Sequence, residues 1–402
     1  MKTYDQPLPE GPGIPLATPS PLSAPLVLLM AMATGLAVAS NYYAQPLLPA
    51  MARGLALSPT QAGFIVTTAQ VGYSLGLLFL VPLGDLFERR ALVVFMTLLS
   101  AAGLFLTALA PSIALVLVGT ALTGLFSVVA QILVPFAATL ALPSERGKVV
   151  GIVMSGLLLG ILLARTVAGA LTALGNWRTV YWVGGAGMIL MAAVLRRALP
   201  RHDQPVNLSY PRLILSIFAL FRDEPVLRTR ALVGAASFGT FSVLWTSMAF
   251  VLAGPPYGFR PGTIGLFGLA GAAGALAASG AGRLADRGRG DAVTGGGLGL
   301  LLLSWVPLAF ARQSLLAFVL GVLVLDLAAQ GIHISNQTAI YRIRPEARNR
   351  LTAGYMTSYF IGGAAGSLLS ASAYSAFGWL GVVAVGAAFS ALGGVAWATL
   401  RG

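Results

Sequence analysis

Twelve apolar runs, each long enough to cross a bilayer, dominate the sequence and fall into two sets of six around a charged stretch at 198–226. The first set lies at about residues 25–47, 60–83, 90–110, 113–140, 147–172 and 179–197. The second set lies at about residues 228–253, 262–283, 291–311, 314–341, 350–376 and 379–400. Since an α-helix needs about 20 apolar residues to span the hydrocarbon core, these runs predict twelve transmembrane helices.

The composition supports the same interpretation. The 402 residues are 57% hydrophobic and only 9% charged, whereas soluble domains carry about 25% charged residues. So few charges could not cover the surface of a soluble protein of this size. The chain is therefore predicted to be an all-α membrane protein with little room for a soluble domain. The absence of cysteine excludes disulfides and Cys-ligated metal sites.

The distribution of basic residues predicts the orientation in the membrane. With a cytoplasmic N-terminus, 20 of the 25 Lys and Arg residues lie on the cytoplasmic side, which is the bias that inner-membrane proteins show. The exceptions are Arg165, within a span, and four residues on the outer side: Arg53, Arg178, Arg260 and Arg312. Both termini are thus expected in the cytoplasm of a cell (inner or plasma) membrane protein. The net charge of +13 follows these loops and does not indicate a nucleic-acid partner.

Four regions are expected along the chain. Residues 1–24 are Pro-rich and lack the basic n-region of a signal peptide, so they predict a disordered cytoplasmic tail. Residues 25–197 and 227–402 should each form a six-helix bundle. The cytoplasmic linker between them, 198–226, contains "YPRLILSIFALFRDEP", which is typical of an amphipathic helix at the membrane interface.

The two sets of runs repeat one another. Asp85 in "LGDLFERR" and Asp286 in "LADRGRG" follow the second run of each set, 201 residues apart. Three further pairs are offset by 202 residues: Met154/Met356, Gly160/Gly362 and Trp177/Trp379. These landmarks indicate a duplicated six-helix unit whose copies enter the membrane from the same side. Two bundles related by a pseudo-twofold axis are therefore predicted, with substrate at their interface.

Short motifs in equivalent loops carry a resemblance to a known family. "GRLADRGR" (282–289) is similar to the loop signature Gly-x-Leu-Ala-Asp-Arg-x-Gly-Arg-Arg of the major facilitator superfamily. "LGDLFERR" (83–90) keeps its leucine, its aspartate and its two arginines, and "NWRTVYW" (176–182) resembles the family's start of the sixth span. The chain resembles this superfamily over about residues 25–400, and within it the twelve-span bacterial exporters of drugs and metabolites.

The resemblance implies a secondary transporter that moves a small organic molecule by alternating access, with proton-coupled export as the favoured mode. A proton-linked importer or an uncoupled facilitator of a small polar or anionic solute is the alternative. No cofactor is implied, and a monomer in the bilayer is expected to use the proton gradient. Two positions depart from the exporter pattern: Thr120 stands about where the fourth span has arginine, and Arg165 replaces the last glycine of the antiporter motif.

The resemblance also implies gating residues at the cytoplasmic side. The aspartate after the second span faces the N-terminus of the eleventh helix in this family, where unpaired backbone N–H groups favour an anion. Asp85 with Arg89 and Arg90 is therefore expected to hold the cytoplasmic side closed in the outward-open state. Asp286 with Arg287 is expected to act in the same way at the fifth helix.

One polar stripe runs along the tenth span. Its members recur at i, i+4, i+7 and i+11, so they share a helix face: Asp326, Gln330, His333 and Gln337. Among the twelve acidic residues, Asp326 alone lies deep in a span, where a charge is costly. The resemblance places the tenth span on the central cavity, so the stripe is expected to form a wall of that cavity, with Asp326 as the proton-coupling group. A structural ion pair or a hydrogen-bond network is the alternative.

Arg165 and His333 have several possible roles. Arg165 could neutralise Asp326, bind an anionic substrate group, or join the two bundles on the outer side. His333 could relay protons or form a structural hydrogen bond, and a lone histidine without a second ligand nearby argues against a metal site.

Other polar and aromatic residues are expected to line the substrate cavity: Asn41, Tyr42, Gln45, Gln70, Trp245 and Tyr359. Tyr42 could equally belong to the aromatic belt at the membrane interface. Gly147, Gly151, Gly156 and Gly160 predict close helix packing along the fifth span. An enzyme is not expected, because the sequence contains no zinc-protease, phosphate-loop or nucleophile-elbow motif.

Overall fold

The computed structural model describes residues 22–142, 144–201, 209–344 and 347–400. Within these ranges, six side chains are left out: those of residues 277, 279, 281, 282, 285 and 286. Most of the predicted tail at 1–24, part of the predicted linker and the side chain of Asp286 therefore lie outside the described residues.

Helices account for nearly all of the described chain. Those of the first half are α1 (Ala24–Ala39), α2 (Leu48–Leu55), α3 (Pro59–Phe79), α4 (Arg89–Leu109), α5 (Ile113–Phe126), α6 (Val129–Leu140), α7 (Arg146–Ala173) and α8 (Thr179–Ala198). Those of the second half are α9 (Tyr210–Asp223), α10 (Pro225–Ala253), α11 (Pro261–Ala277), α12 (Ser279–Leu284), α13 (Gly290–Leu303), α14 (Trp305–Ala309), α15 (Leu315–Tyr341) and α16 (Arg348–Leu400).

These helices cross the membrane twelve times. Within the described ranges, nine helical elements are long and apolar enough to span a bilayer, and α1 and α11 are shorter apolar helices. The 53-residue α16 consists of two helices joined at Gly378, whose φ of 64° suits a residue without a Cβ. It therefore supplies two crossings, and the described residues contain no β-strand. The predicted class, an all-α membrane protein with two bundles of six, is confirmed.

The first crossing is not one continuous α-helix. The helix α1 ends at Ala39, and a short 3₁₀ helix begins at Gln45. Pro46 explains the break, since proline has no backbone N–H and its ring clashes with the carbonyl of residue 42 in an α-helix. Asn41 and Gln45 are therefore not one regular α-helical turn apart, and their side chains point to different partners.

Close glycine contacts display the internal repeat. Gly160 of α7 packs against the backbone of Gly35 in α1, where a Cβ would overlap it. At the equivalent place in the second bundle, Gly362 of α16 packs against the backbone of Ala235 in α10. Gly151, by contrast, has open space where its Cβ would be. Only part of the predicted glycine stripe on the fifth span is thus used for packing.

Two seams join the bundles: α3 against α16, and α7 against α11. In the first seam, the hydroxyls of Thr67 and Ser367 are 2.8 Å apart. In the second, the Thr166 hydroxyl donates a hydrogen bond of 3.0 Å to the carbonyl of Gly265. We call the end of the molecule that carries Arg89 and the start of α16 the basic end, and the other the opposite end.

The helix α9 lies along the basic end. Leu213, Ile217 and Leu220 are buried, whereas Leu215 and Phe218 on its other face are 65% and 55% exposed. The Tyr210 hydroxyl donates a hydrogen bond of 2.8 Å to the carbonyl of Phe79 at the end of α3. This amphipathic helix therefore covers the α3–α16 seam, with one apolar face left toward the surroundings.

Candidate functional site

A central cavity of about 500 Å³ lies between the two bundles. It reaches from Tyr42 and Phe241, deep in the molecule, to Asp85 and Arg348 at the basic end. Toward the opposite end the bundles are in contact, and Gly169 of α7 packs against the backbone of α11. The cavity thus opens at the basic end and is closed at the other, and its volume suits a small organic ligand.

Aromatic rings form the floor of the cavity. The rings of Phe238 and Tyr359 stack at a centroid distance of 4.1 Å, with 16° between their planes. Phe241 stacks on Phe238 at 5.4 Å. Tyr42 adds a ring from the first bundle and is 6% exposed. Flat rings facing a cavity favour an apolar or planar ligand body.

The polar stripe of α15 forms one wall of the cavity. Gln330, His333 and Gln337 line it, as the sequence predicts. The Nδ1 atom of His333 lies 3.0 Å from the Tyr355 hydroxyl, and its ring centroid lies 4.7 Å from that of Tyr359. This imidazole is therefore held by a structural hydrogen bond while its ring remains part of the cavity wall.

Asp326, the first residue of the stripe, lies behind the floor. Its side chain is 3% exposed and does not line the cavity. The Trp245 Nε1–H donates a hydrogen bond of 3.4 Å to its Oδ1 atom. Among the described residues, its Oδ2 atom has no hydrogen-bond partner. A buried carboxyl with one free oxygen at the bundle interface is costly to keep charged.

Arg165 also lies behind the cavity floor, against Trp245, but it belongs to α7 of the first bundle. Its Nε donates a hydrogen bond of 2.7 Å to Gln45 Oε1. Its guanidinium carbon lies 3.9 Å from the centroid of the Trp245 ring and 4.9 Å from that of Tyr42. Within the described part of the chain, Arg165 forms no ion pair with Asp326, and its Nη2 atom has no partner. Rings seal this cation from the cavity.

Four further predicted cavity residues do not line the cavity in this conformation: Asn41, Gln45, Gln70 and Trp245. Trp245 lies behind the floor, where it contacts Arg165 and Asp326. Asn41 points into the first bundle and donates a hydrogen bond of 2.6 Å to the Ser127 hydroxyl. Gln70 Nε2 donates one of 3.1 Å to the Ser242 hydroxyl across the bundle interface. Gln45 is occupied by Arg165, so these side chains serve packing and contact between helices.

The predicted gating residues flank the mouth of the cavity. Asp85 and Arg89 line it and form an ion pair of 3.7 Å within their own loop. The Arg89 Nε also donates to the carbonyl of Gly84 at 3.1 Å. Arg90 reaches the carbonyl of Leu199 at 3.4 Å, and Arg287 is exposed. While the mouth is open, the ion-pair partner of Asp85 is therefore Arg89, four residues further along the chain.

The count of basic residues includes Arg230 on the cytoplasmic side, and the structure buries it inside α10 at 7% exposure. It donates hydrogen bonds to Asp291 at 2.6 Å and to Thr294 at 2.9 Å, and lies 4.5 Å from the Trp397 ring centroid. Arg230 lies inside the apolar run that begins at residue 228, and this position could have indicated that its side chain is buried. Tyr355, Phe238 and Phe241 were also missed, because isolated aromatic residues in a span carry no positional signal.

No group of three or more His, Cys, Asp or Glu side chains that could hold a metal ion occurs in the part of the chain that the structure describes.

Two pseudo-symmetric six-helix bundles around a central cavity that opens at one end are the architecture of a secondary transporter. Comparison with known proteins gives the family. The model of the Major Facilitator Superfamily matches residues 30–306 and 257–402, and the chain belongs to this superfamily.

Individual relatives agree with this assignment. The chain is 62% identical over 376 residues to the "Uncharacterized transporter YgaY" of Escherichia coli O157:H7, which covers 94% of this chain and 95% of the relative. It is 35% identical over 383 residues to "Probable transporter SCO4007" of Streptomyces coelicolor, covering 93% and 87%. A solved structure of a bacterial homologue of the human lysosomal transporter Spinster, inward-facing and occupied, has a TM-score of 0.76 at 16% identity, covering 93% and 95%.

Proposed function

We propose that the protein is a proton-coupled exporter of small organic molecules in the cell membrane, working as a monomer by alternating access. The position of Asp326 carries this proposal. Its carboxyl is buried at the bundle interface behind the floor of the cavity, in contact with Trp245 and near Arg165 of the other bundle.

Alternating access would change the surroundings of this carboxyl in each cycle. Burial disfavours the charged form, whereas the nearby Arg165 guanidinium favours it. When the bundles part at the opposite end, water reaches the carboxyl and Arg165 moves away. The affinity of Asp326 for a proton then differs between the two states, which is what a proton-coupled cycle requires. The other eleven acidic residues lie outside the centre of the predicted spans.

The lining of the cavity favours the exporter over the anion facilitator. Its walls are mainly apolar, and its floor consists of stacked rings. Gln330 and Gln337 offer neutral hydrogen-bonding groups. Arg165 is 3% exposed, so an anion would have to displace Tyr42 to reach it. A small molecule with an apolar or planar body and few polar groups fits this surface best.

The charge bias assigns the basic end to the cytoplasm. The structure would then correspond to the state that accepts substrate from inside the cell. On closure of the basic end, Asp85 would leave its loop ion pair with Arg89 and approach the N-terminus of α16 at Arg348. The free backbone N–H groups there favour a carboxylate.

The test uses a compound found by screening a deletion strain against a panel of drugs and metabolites. In everted membrane vesicles with an acidic interior, the wild-type protein should accumulate that compound, and dissipating the pH gradient should stop accumulation. Asp326→Asn should abolish accumulation driven by the gradient but retain binding of the compound, since the cavity lining is unchanged. His333→Gln should reduce transport less. Accumulation by Asp326→Asn with the wild-type pH dependence would disprove the coupling role.

A further inference from the structure

We propose that Trp245 is a positioning residue through which the charge of Asp326 holds the opposite end of the transporter closed. This inference rests on the proposed function in one respect: it takes Asp326 as the group whose protonation changes during the cycle. It adds a second residue, a direction for the effect and a defined contact between the bundles.

The first step is the contact between bundles. Arg165 of α7 is held by Gln45 from its own bundle, at 2.7 Å. Its guanidinium lies over the rings of Trp245 at 3.9 Å and Phe241 at 5.5 Å, which both belong to α10 of the second bundle. Arg165 and Trp245 are each at most 3% exposed. A cation over an indole ring is worth most when water is excluded, so this contact favours the closed opposite end.

The second step is the link from Trp245 to Asp326. The indole that supports Arg165 with its ring donates its N–H to Asp326 Oδ1 at 3.4 Å. The helix α11 fixes both groups from the side of Gly271. A Cβ on Gly271 would lie 2.6 Å from the indole ring and 2.8 Å from Asp326 Oδ2. The indole therefore has little freedom to move unless the contact with Arg165 or with Asp326 is released.

The third step concerns the charges around the carboxyl. The charged or titratable groups that face it are Arg165 from α7 and the Tyr359 hydroxyl from α16, with Tyr42 next to Arg165. Neither Asp326 Oδ2 nor Arg165 Nη2 has a hydrogen-bond partner among the described residues. Each group thus keeps one polar atom without a hydrogen bond, and the attraction between the two opposite charges acts across the bundle interface.

These contacts give the effect of protonation a sign. A charged Asp326 attracts Arg165 and accepts a stronger hydrogen bond from the indole, so the opposite end stays closed. A neutral Asp326 loses the attraction and weakens that hydrogen bond, so the bundles separate there more readily. An empty transporter whose Asp326 is charged would then remain open at the basic end until substrate binds. The empty transporter would therefore not change to the state open at the opposite end without substrate, and protons would not cross the membrane without export of substrate.

The experiment measures distances between spin labels on this naturally Cys-free chain, without substrate, at pH 6 and pH 8. One label pair reports on the opposite end, through Leu174→Cys and Arg260→Cys at exposed sites, one in each bundle. A second pair reports on the basic end, through Lys148→Cys and Asn349→Cys. Lowering the pH should increase the ratio of open to closed opposite ends by about tenfold, a typical coupling magnitude.

Two variants define the mechanism. Asp326→Asn should show the low-pH distance distribution at both pH values. Trp245→Phe keeps a ring beneath Arg165 but lacks the N–H, so it should lose most of the pH response while Asp326 remains. Trp397→Phe is the matched control, because Trp397 also stacks under a buried arginine, Arg230, but within one bundle. It should respond to pH as the wild-type protein does.

The outcomes separate this inference from the proposed function. A wild-type pH response in Trp245→Phe would overturn the role of Trp245. If the distances in Asp326→Asn are at the same time independent of pH, proton coupling through Asp326 is still supported. An Asp326→Asn protein whose distances respond to pH as in the wild type would overturn both. If Trp245→Phe does not fold, Arg165→Lys takes its place, since it keeps the charge but not the planar stacking. It should also show a reduced response, and a wild-type response would overturn the proposal.

Discussion

Asp326 and Gln330 are one helical turn apart, yet Asp326 is sealed behind the cavity floor and Gln330 lines the cavity. The periodicity of α15 puts both on one face, as the sequence predicts. What separates them is a set of rings from other helices, Phe238 and Phe241 on α10 and Tyr359 on α16. At the scale of a residue, the sequence thus identifies a polar face of the helix. The neighbouring helices determine whether a side chain on that face lines the cavity or is buried in protein.

Asp85 is the residue whose partner should change between states. In the open mouth it forms a 3.7 Å ion pair with Arg89, and Arg350 at the start of α16 also attracts its carboxylate. Because Asp85 is partly exposed, the ion pair with Arg89 contributes little. If it meets the N-terminus of α16 when the mouth closes, Asp85→Asn should weaken the closed mouth and increase the population open at the basic end. We expect greater labelling of a cysteine at Asn349 by a water-soluble maleimide, with near-normal expression. Unchanged labelling at both ends would rule this role out.

At the scale of an element, α7 shows how one helix uses the same residue type differently along its length. Gly160 lies against the backbone of Gly35, whereas Gly151 has open space where a side chain would be. Each glycine belongs to a pair spaced four residues apart, Gly147/Gly151 and Gly156/Gly160, and this spacing is typical of close helix packing. Only the half of α7 that packs against α1 uses it.

Gly160→Leu should therefore destabilise the protein, because its side chain must push α1 and α7 apart. Inserting atoms into a packed contact costs about 1–3 kcal/mol, occasionally more. Gly151→Leu is the matched control on the same helix and should change the stability by less than about 0.5 kcal/mol. Thermal unfolding of the purified proteins, followed by tryptophan fluorescence, compares them. Equal melting temperatures for the two variants would contradict the contact.

At the scale of the whole molecule, the charge bias of the loops is the feature that predicts how the bundles are oriented in the membrane. It predicts that a tag at the N-terminus or within 198–226 is protected from protease added to intact spheroplasts. A tag inserted near Gly254–Tyr257, between α10 and α11, should be cleaved. Disruption of the membrane should expose all three tags, which provides the control. The reverse pattern would place the basic end outside and remove the basis for the proposed direction of transport.

The sequence by itself determined the features that depend on hydropathy and charge along short stretches of the chain and on their repetition. Apolar runs of about 20 residues predict crossings, the offset of about 200 residues predicts the repeat, and clustered arginines predict the orientation. Even so, Pro46 interrupts the first crossing in a way that hydropathy does not register.

Only the tertiary structure decided which end is open and how the site is built. Trp245 meets Asp326 across 81 residues of sequence, and Arg165 meets Gln45 across 120. Arg230, which the sequence only counts among the cytoplasmic basic residues, is buried by partners 61 and 64 residues away. Such contacts depend on how helices far apart in the chain pack together, and in a chain made almost entirely of apolar helices many packings satisfy the same hydropathy pattern.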